Sequence, residues 1–193
     1  MIRPATEADI PAIRAIYAPY VEKTTITFEY TVPTEAEFLD RFRAITQRFP
    51  WLVWEAEGEI LGYVYASAPF QRAAYDWCAE PSVYLRQDVR GRGIGTKLYA
   101  ALEALLQAQG FQVLLALITE ENTPSLDFHS RCGYVSRSVL PDCGFKFGRW
   151  LGVTWMEKRL CAVEIPSAAP TPWSAFGQDA QRIHDILDIL SLS

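Results

Sequence analysis

Residues 80–110, EPSVYLRQDVRGRGIGTKLYAALEALLQAQG, constrain the fold more than any other part of the chain. A β-rich run over 80–85 leads into three alternating glycines, Gly91, Gly93 and Gly95. Leu98, Leu102 and Leu105 then recur at helical spacing, and Gly110 closes that helix as the residue best able to take a left-handed backbone. Pro81 inside the first run has no N–H to give a ladder, which predicts a sheet edge or a bulge there. The VLLALI run over 113–118 is continuously apolar, the pattern of a strand covered on both faces. A strand, a glycine loop, a helix and a buried strand in that order demand a layered fold.

The flanks fill in the layers. Thr6 and Asp9 form a loose capping box before Ile10, Ile13, Ile16, Tyr17 and Tyr20, which share one helical face. Thr34 and Glu37 open a second helix with Phe38, Leu39, Phe42 and Ile45 as its apolar stripe, ending by Pro50. Residues 51–67 read as a hairpin turning at Gly58. A short helix is expected from Thr123–Pro124 to about 131, stopped by Gly133, and two strands near 134–139 and 150–159 complete the unit. The expected class is α/β in the broad sense (α+β): a mixed, mostly antiparallel sheet with helices on both faces.

The chain has 193 residues, enough for one domain over 1–160. A Pro/Ala/Ser-rich linker follows over 161–176, then an amphipathic helix over 177–193 with Ile183, Ile186, Leu187 and Leu190 in its stripe. A lone helix of that length is marginal in water, so the stripe is expected to dock on the domain or on a partner subunit. The net charge of −5 argues against nucleic acid or an anionic membrane as partner. No apolar run approaches the roughly 20 residues that span a bilayer. Cys78, Cys132, Cys143 and Cys161 are scattered, which suits reduced thiols in the cytoplasm and gives no metal-ligand spacing.

Against this acidic background the glycine stretch is locally basic, with Arg86, Arg90, Arg92 and Lys97 facing only Asp88. Glycines before a helix N-terminus, where free N–H groups and the positive end of the dipole meet, form an anion site. The spacing is not that of a P-loop, and position 96 is Thr where a dinucleotide fingerprint needs glycine.

Arg90-Gly91-Arg92-Gly93-Ile94-Gly95 resembles the R/Q-x-x-G-x-G/A signature with which the GNAT superfamily of N-acetyltransferases cradles the acetyl-CoA pyrophosphate. The segments IRPATEADIPAI, ITFEYTVPTEAEF, AYDWCAEPSVYL, NTPSLDFHSRCGY and GFKFGRWLGVTWMEKRL are similar to its phosphinothricin and methionine sulfoximine acetyltransferase branch, in order from residue 2 to about 160. The resemblance implies a GNAT fold, with a sheet splayed at the acetyl-CoA site, and acetyl-CoA as co-substrate with no metal. It implies cofactor contacts at Val83, Tyr84, Leu85, Arg90, Gly91, Arg92, Gly93, Ile94, Gly95, Thr96, Asn122 and Ser125. It makes Glu80 the general base that neutralises the acceptor ammonium, and His129 a general acid or a contact to the CoA sulfur. Read alone, Glu80 is as easily an idle surface carboxylate, His129 a packing or capping residue, and Asn122 a turn residue.

On the acceptor side the resemblance points to Phe28, Glu29, Arg72, Tyr75 and Lys146, with Arg72 suited by its fork to a carboxylate or phosphinate. It further implies a homodimer acting on a small-molecule amine. One departure stands out: the branch usually has Asp two residues after the Trp of Phe-Lys-x-Gly-x-Trp, and here that residue is Gly152. Two alternatives remain beside the acetylated amino-acid analogue. One is another amine (a polyamine, an aminoglycoside or a protein N-terminus); the other is an acyl-CoA-binding module without turnover.

Overall fold

The computed structural model describes residues 1–89, 91–162, 165, 166 and 168–191. Seven strands form one sheet in the order β1-β2-β3-β4-β5-β7-β6. They are β1 (Ile2–Pro4), β2 (Trp51–Ala56), β3 (Glu59–Ser67), β4 (Cys78–Leu85), β5 (Val113–Thr119), β6 (Val135–Lys146) and β7 (Arg149–Arg159). Every neighbouring pair is antiparallel except β4 with β5. That parallel pair is the crossover the glycine-loop unit called for, because parallel neighbours need a long connection, here α3 (Ile94–Gln109).

The helices cover both faces. On one, α1 (Ile10–Lys23) and α2 (Glu35–Thr46) bury Ile10, Ile13, Ile16, Tyr17, Tyr20, Phe38 and Phe42 against Trp51, Val53 and Tyr63. Leu39 and Ile45 lie at the margin of that layer, half-buried. The Thr34–Glu37 box is complete at the start of α2, with Glu37 N–H donating to Thr34 Oγ1 at 3.2 Å and Thr34 N–H to Glu37 Oε2 at 2.7 Å. On the other face α3 buries Leu98, Leu102, Leu105 and Leu106, and α4 (Thr123–Arg131) adds Leu126 and Phe128 beside them. Gly110 has φ 102°, the left-handed value its place after α3 requires.

Four local expectations need correction. β4 lies in the middle of the sheet, and its ladder with β3 runs without a bulge through Pro81. β5 is not covered throughout, because Leu117 is 43% exposed. β6 continues to Lys146 and is exposed along most of its length, since it forms the sheet's outer edge and turns back only at Phe147–Gly148. The Pro/Ala/Ser stretch does more than link: Trp77 Nε1 donates to Ala168 O at 3.2 Å, and Thr171 N–H to Gln109 O at 2.8 Å.

A short helix, α5 (Trp173–Phe176), follows directly and buries both of its aromatic ends. The last helix, α6 (Ala180–Ser191), docks Ile183 and Leu187 into the α3 core, with Ile186 at the margin. The side chain of Leu190 lies outside the described residues. Arg182 reaches the Ala108 carbonyl near the end of α3, while Leu187 and Asp188 share a cavity of about 420 Å³ with Lys97 near its start. The last helix therefore runs antiparallel along α3. Trp173→Ala should cost roughly 3–5 kcal/mol and Leu187→Ala about 2–5 kcal/mol of unfolding free energy in urea titrations. Removing residues 162–193 should lower stability at least as far, and an unshifted midpoint after truncation would contradict the docking.

Candidate active site

The glycine stretch makes one wall of the site. Gly93 is the N-cap of α3 with φ 77°, a left-handed backbone that a β-branched residue resists. The first intrahelical bond runs from Lys97 N–H to Gly93 O at 3.1 Å, so the N–H groups of Ile94, Gly95 and Thr96 precede the helical ladder. These groups face a cleft of about 610 Å³ lined by Gly91, Gly93, Gly95, Thr96, Val83, Leu85, Asn122, Ser125 and Phe128. Orphan helix donors at the rim of a cleft suit a phosphate.

The basic side chains divide differently from the expectation. Arg86 is tied to Glu59 and Asp88 at 2.7 Å each, and Arg92 is exposed. Lys97 lies against the tail cavity, and Arg90 falls outside the described residues. Among the described residues the cation on the cleft wall is Arg131, from the last turn of α4, which sequence reasoning missed. Tyr20 was read only as a core residue. It also reaches the cleft, its hydroxyl donating to Leu85 O at 2.6 Å while Leu85 N–H returns a bond to it at 3.2 Å.

β4 and β5 pair only at Cys78–Val113 and Ala79–Leu114. Beyond Ala79 they part, and the opening is the site. Arg86 N–H bonds Leu61 O at 2.9 Å, so even-numbered residues of β4 aim their backbone groups at β3 and odd-numbered ones at the gap. The missing N–H of Pro81 therefore points where no partner strand exists, and Val83 offers both its N–H and its C=O to the gap. Side chains alternate likewise: Glu80, Ser82 and Tyr84 face the α1–α2 layer, while Val83 and Leu85 face α3. The Tyr84 ring packs between Tyr17, Tyr20 and Tyr63, so only its backbone runs along the cleft.

Glu80, His129, Asn122 and Ser125 line one small cavity of about 80 Å³ within the gap. Glu80 forms no hydrogen bond or ion pair with the described residues, and burial alone pushes its carboxyl above the ordinary range. His129 is 6% exposed and held at both nitrogens. Nδ1 lies 2.8 Å from Ser125 O, which can only accept, so Nδ1 carries the proton. Nε2 then accepts from the Tyr99 hydroxyl at 2.8 Å, and burial keeps that phenol well above its normal pKa. Burial also lowers the His129 pKa, so the ring is neutral at pH 7. Asn122 caps α4 by accepting from Ser125 N–H at 3.4 Å, which fulfils the turn reading while placing it on the cleft wall.

The acceptor-side residues are only partly brought together. Phe28 lines a cavity of about 340 Å³ with Ile26, Leu117, Thr119, Cys143 and Val153. Its ring lies directly on Gly144, where an added Cβ would come within 2.1 Å of it. Glu29 pairs with Arg41 at 2.6 Å. Tyr75 is exposed and packs at a tilt on Phe70, which stacks on Trp155; Arg72 is exposed at the start of that turn. Lys146 does not reach the cavity: it is 1% exposed, with Nζ on the Thr27 carbonyl. Sequence reasoning gave no signal for Arg41 or Trp155, because their residue types are ordinary for a helix and a strand. Gly152 has a structural counterpart, since a Cβ there would sit 1.7 Å from Glu120 Oε2. The Glu120 carboxylate occupies the space a side chain at 152 would take.

A sheet opened between parallel strands, with a helix N-terminus over the opening, is the architecture of an acyl-CoA site. The chain belongs to the GNAT acetyltransferases: the model of the acetyltransferase (GNAT) domain matches residues 2–155. It is 37% identical to a phosphinothricin N-acetyltransferase of Streptomyces viridochromogenes, across 89% of this chain and 91% of that one. It is 40% identical to an L-methionine sulfoximine/L-methionine sulfone acetyltransferase of Pseudomonas aeruginosa, across 82% and 94%. Among solved structures, a GNAT superfamily phosphinothricin acetyltransferase from Sinorhizobium meliloti in complex with AcCoA superposes with a TM-score of 0.85 at 34% identity. That match covers 90% of this chain and 96% of that one. The protein is an acetyl-CoA-dependent N-acetyltransferase.

Among the described residues no group of His, Cys, Asp or Glu could hold a metal, and no helix is long and apolar enough to cross a membrane. Gly93→Val should weaken acetyl-CoA binding by tenfold or more in calorimetric titration. The fold should survive, because the left-handed backbone costs only roughly 1–2 kcal/mol and nothing lies within 4 Å of the new Cβ.

Proposed function

We propose that the enzyme acetylates the α-amino group of a small amino acid of the phosphinothricin or methionine sulfoximine type, with Glu80 as general base. The observation that carries this reading is a carboxylate left without a partner in the gap between β4 and β5. An amino acid arrives as an ammonium ion and must lose a proton before it can attack a thioester. A carboxylate spent on an ion pair would be a poor base; Glu80 is free, and its raised pKa brings it closer to the working pH. The names of the relatives support the acceptor class, and so do the apolar walls at Phe28, Leu117 and Val153. We assign the acceptor carboxylate to Arg72 and Tyr75, both exposed.

His129 serves the sulfur side, opposite Glu80. Its neutral ring, with both nitrogens already engaged, favours a contact of the ring with the sulfur over full proton donation. The free N–H groups before Lys97 and the open edge at Val83 hold the phosphates and the pantetheine arm. The enzyme works as a homodimer in the cytoplasm. The reading of a dimer rests on β6, an edge strand that exposes Val135, Val139 and Leu140, with Phe145, Phe147 and Trp150 exposed beside it.

Release of CoA thiol with a panel of acidic, neutral and cationic amines tests the acceptor. Methionine sulfoximine or phosphinothricin should give the highest kcat/KM, and preference for a polyamine or an aminoglycoside would overturn that class. Glu80→Gln should lower kcat by roughly 10²–10⁴-fold with acetyl-CoA affinity unchanged. In the wild type kcat/KM should rise with pH through the elevated Glu80 pKa. The same shift fixes a sign for stability. A carboxyl whose folded pKa is raised favours the protonated fold, so stability is lost as pH climbs through that value. Glu80→Gln should therefore be more stable than wild type at pH 7 and equal to it near pH 4, read from melting temperatures. Val139→Asp with Leu140→Asp should sediment as a monomer; an unchanged sedimentation coefficient would move the interface elsewhere.

A further inference from the structure

The connection between α1 and α2, residues 24–34, carries Phe28 into the acceptor cavity yet has no regular structure. Among the described residues, 26–33 make no backbone–backbone hydrogen bond. Side chains from elsewhere set its shape. Tyr17 bonds Thr27 Oγ1 at 2.7 Å, Thr119 donates to Thr25 O at 2.7 Å, and Tyr30 donates to Phe145 O.

Lys146 is the charged member of this set. Its ammonium, on the last residue of β6, donates to Thr27 O at 2.7 Å and is sealed from water. A lysine with a four-carbon stem on a surface hairpin would ordinarily extend its head into solvent. This one stays inside although burial lowers its pKa; the nearby Glu29, whose Oε2 is buried without a hydrogen bond, opposes that shift. What the buried cation secures is the carbonyl next to Phe28.

We propose that Lys146 is a positioning residue for acceptor binding: its bond to the Thr27 carbonyl fastens the 26–30 segment to the β6–β7 hairpin and so sets the Phe28 wall before the acceptor arrives. The role rests on the acceptor side lying where the proposed function puts it. Preorganisation of this kind acts on acceptor affinity and leaves the acetyl-CoA cleft alone.

The test uses the full chain with Lys146→Met and Lys146→Gln, each checked by thermal melting. Amide hydrogen exchange of residues 25–30 should quicken at least tenfold in both variants, with α3 and β5 unchanged. With L-methionine sulfoximine as acceptor, KM should rise about tenfold, kcat stay within about threefold, and the acetyl-CoA KM not move. Gly144→Ala pushes on the Phe28 ring from the hairpin and leaves Lys146 intact. It should raise the same KM, and the Lys146→Met/Gly144→Ala double variant should be less than additive. Unchanged exchange over 25–30 overturns the proposal, as does an unchanged acceptor KM or a matching rise in the acetyl-CoA KM. If the wild type releases no thiol with methionine sulfoximine, the acceptor reading fails and the exchange measurement alone decides the role of Lys146.

Discussion

Everything in the site depends on two strands letting go of each other. β4 and β5 share a ladder at Cys78 and Ala79 and nowhere beyond. A buried sheet that opens leaves main-chain donors and acceptors without partners, which costs free energy unless something else satisfies them. Pro81 removes one donor at the point of parting, and Tyr20 satisfies both backbone groups of Leu85 at the far end. Between those two, Val83 keeps an open edge for a ligand to complete.

The opening also decides which groups can cooperate. Because side chains alternate across β4, Glu80 belongs to the α1–α2 face, while His129 belongs to the α3–α4 face. In a closed sheet they would be separated by a layer of backbone; here they line one cavity. Burial then acts on each in the direction that keeps it neutral, raising the Glu80 carboxyl and lowering the His129 imidazole. Two titratable groups can be shifted in opposite directions in this way without any direct bond between them.

Much of the fold was legible because its signals are local. The capping box at Thr34, the turn at Gly58, the cap at Gly110 and the Leu98–Leu105 stripe each report on a few neighbouring residues, and each element formed where they indicate. The misreadings have a common cause. Pro81 was read as an edge or bulge, although only its unpaired side behaves as an edge. Leu117 looks like core until its strand parts from its neighbour. Lys146, drawn in as a substrate contact, is recognisable as buried only once Thr27 and the hairpin are side by side. For the same reason Arg131 was missed: nothing in a short helix marks its last turn as the wall of a cleft. Chemistry that depends on two faces meeting has no signature within either.

The tail has a consequence for how the molecule comes into being. Trp173, Phe176, Ile183 and Leu187 belong to the same buried cluster as Leu98 and Leu102 of α3. Chains are made N-terminus first, so α3 and the end of it that lines the cleft leave the ribosome long before the residues that cover its outer side. The nascent enzyme passes through a stage in which every catalytic element has been synthesised while one flank of the cofactor helix still lies bare. Synthesis of residues 173–187, well after the last residue that lines the cleft, is what allows that flank to be covered.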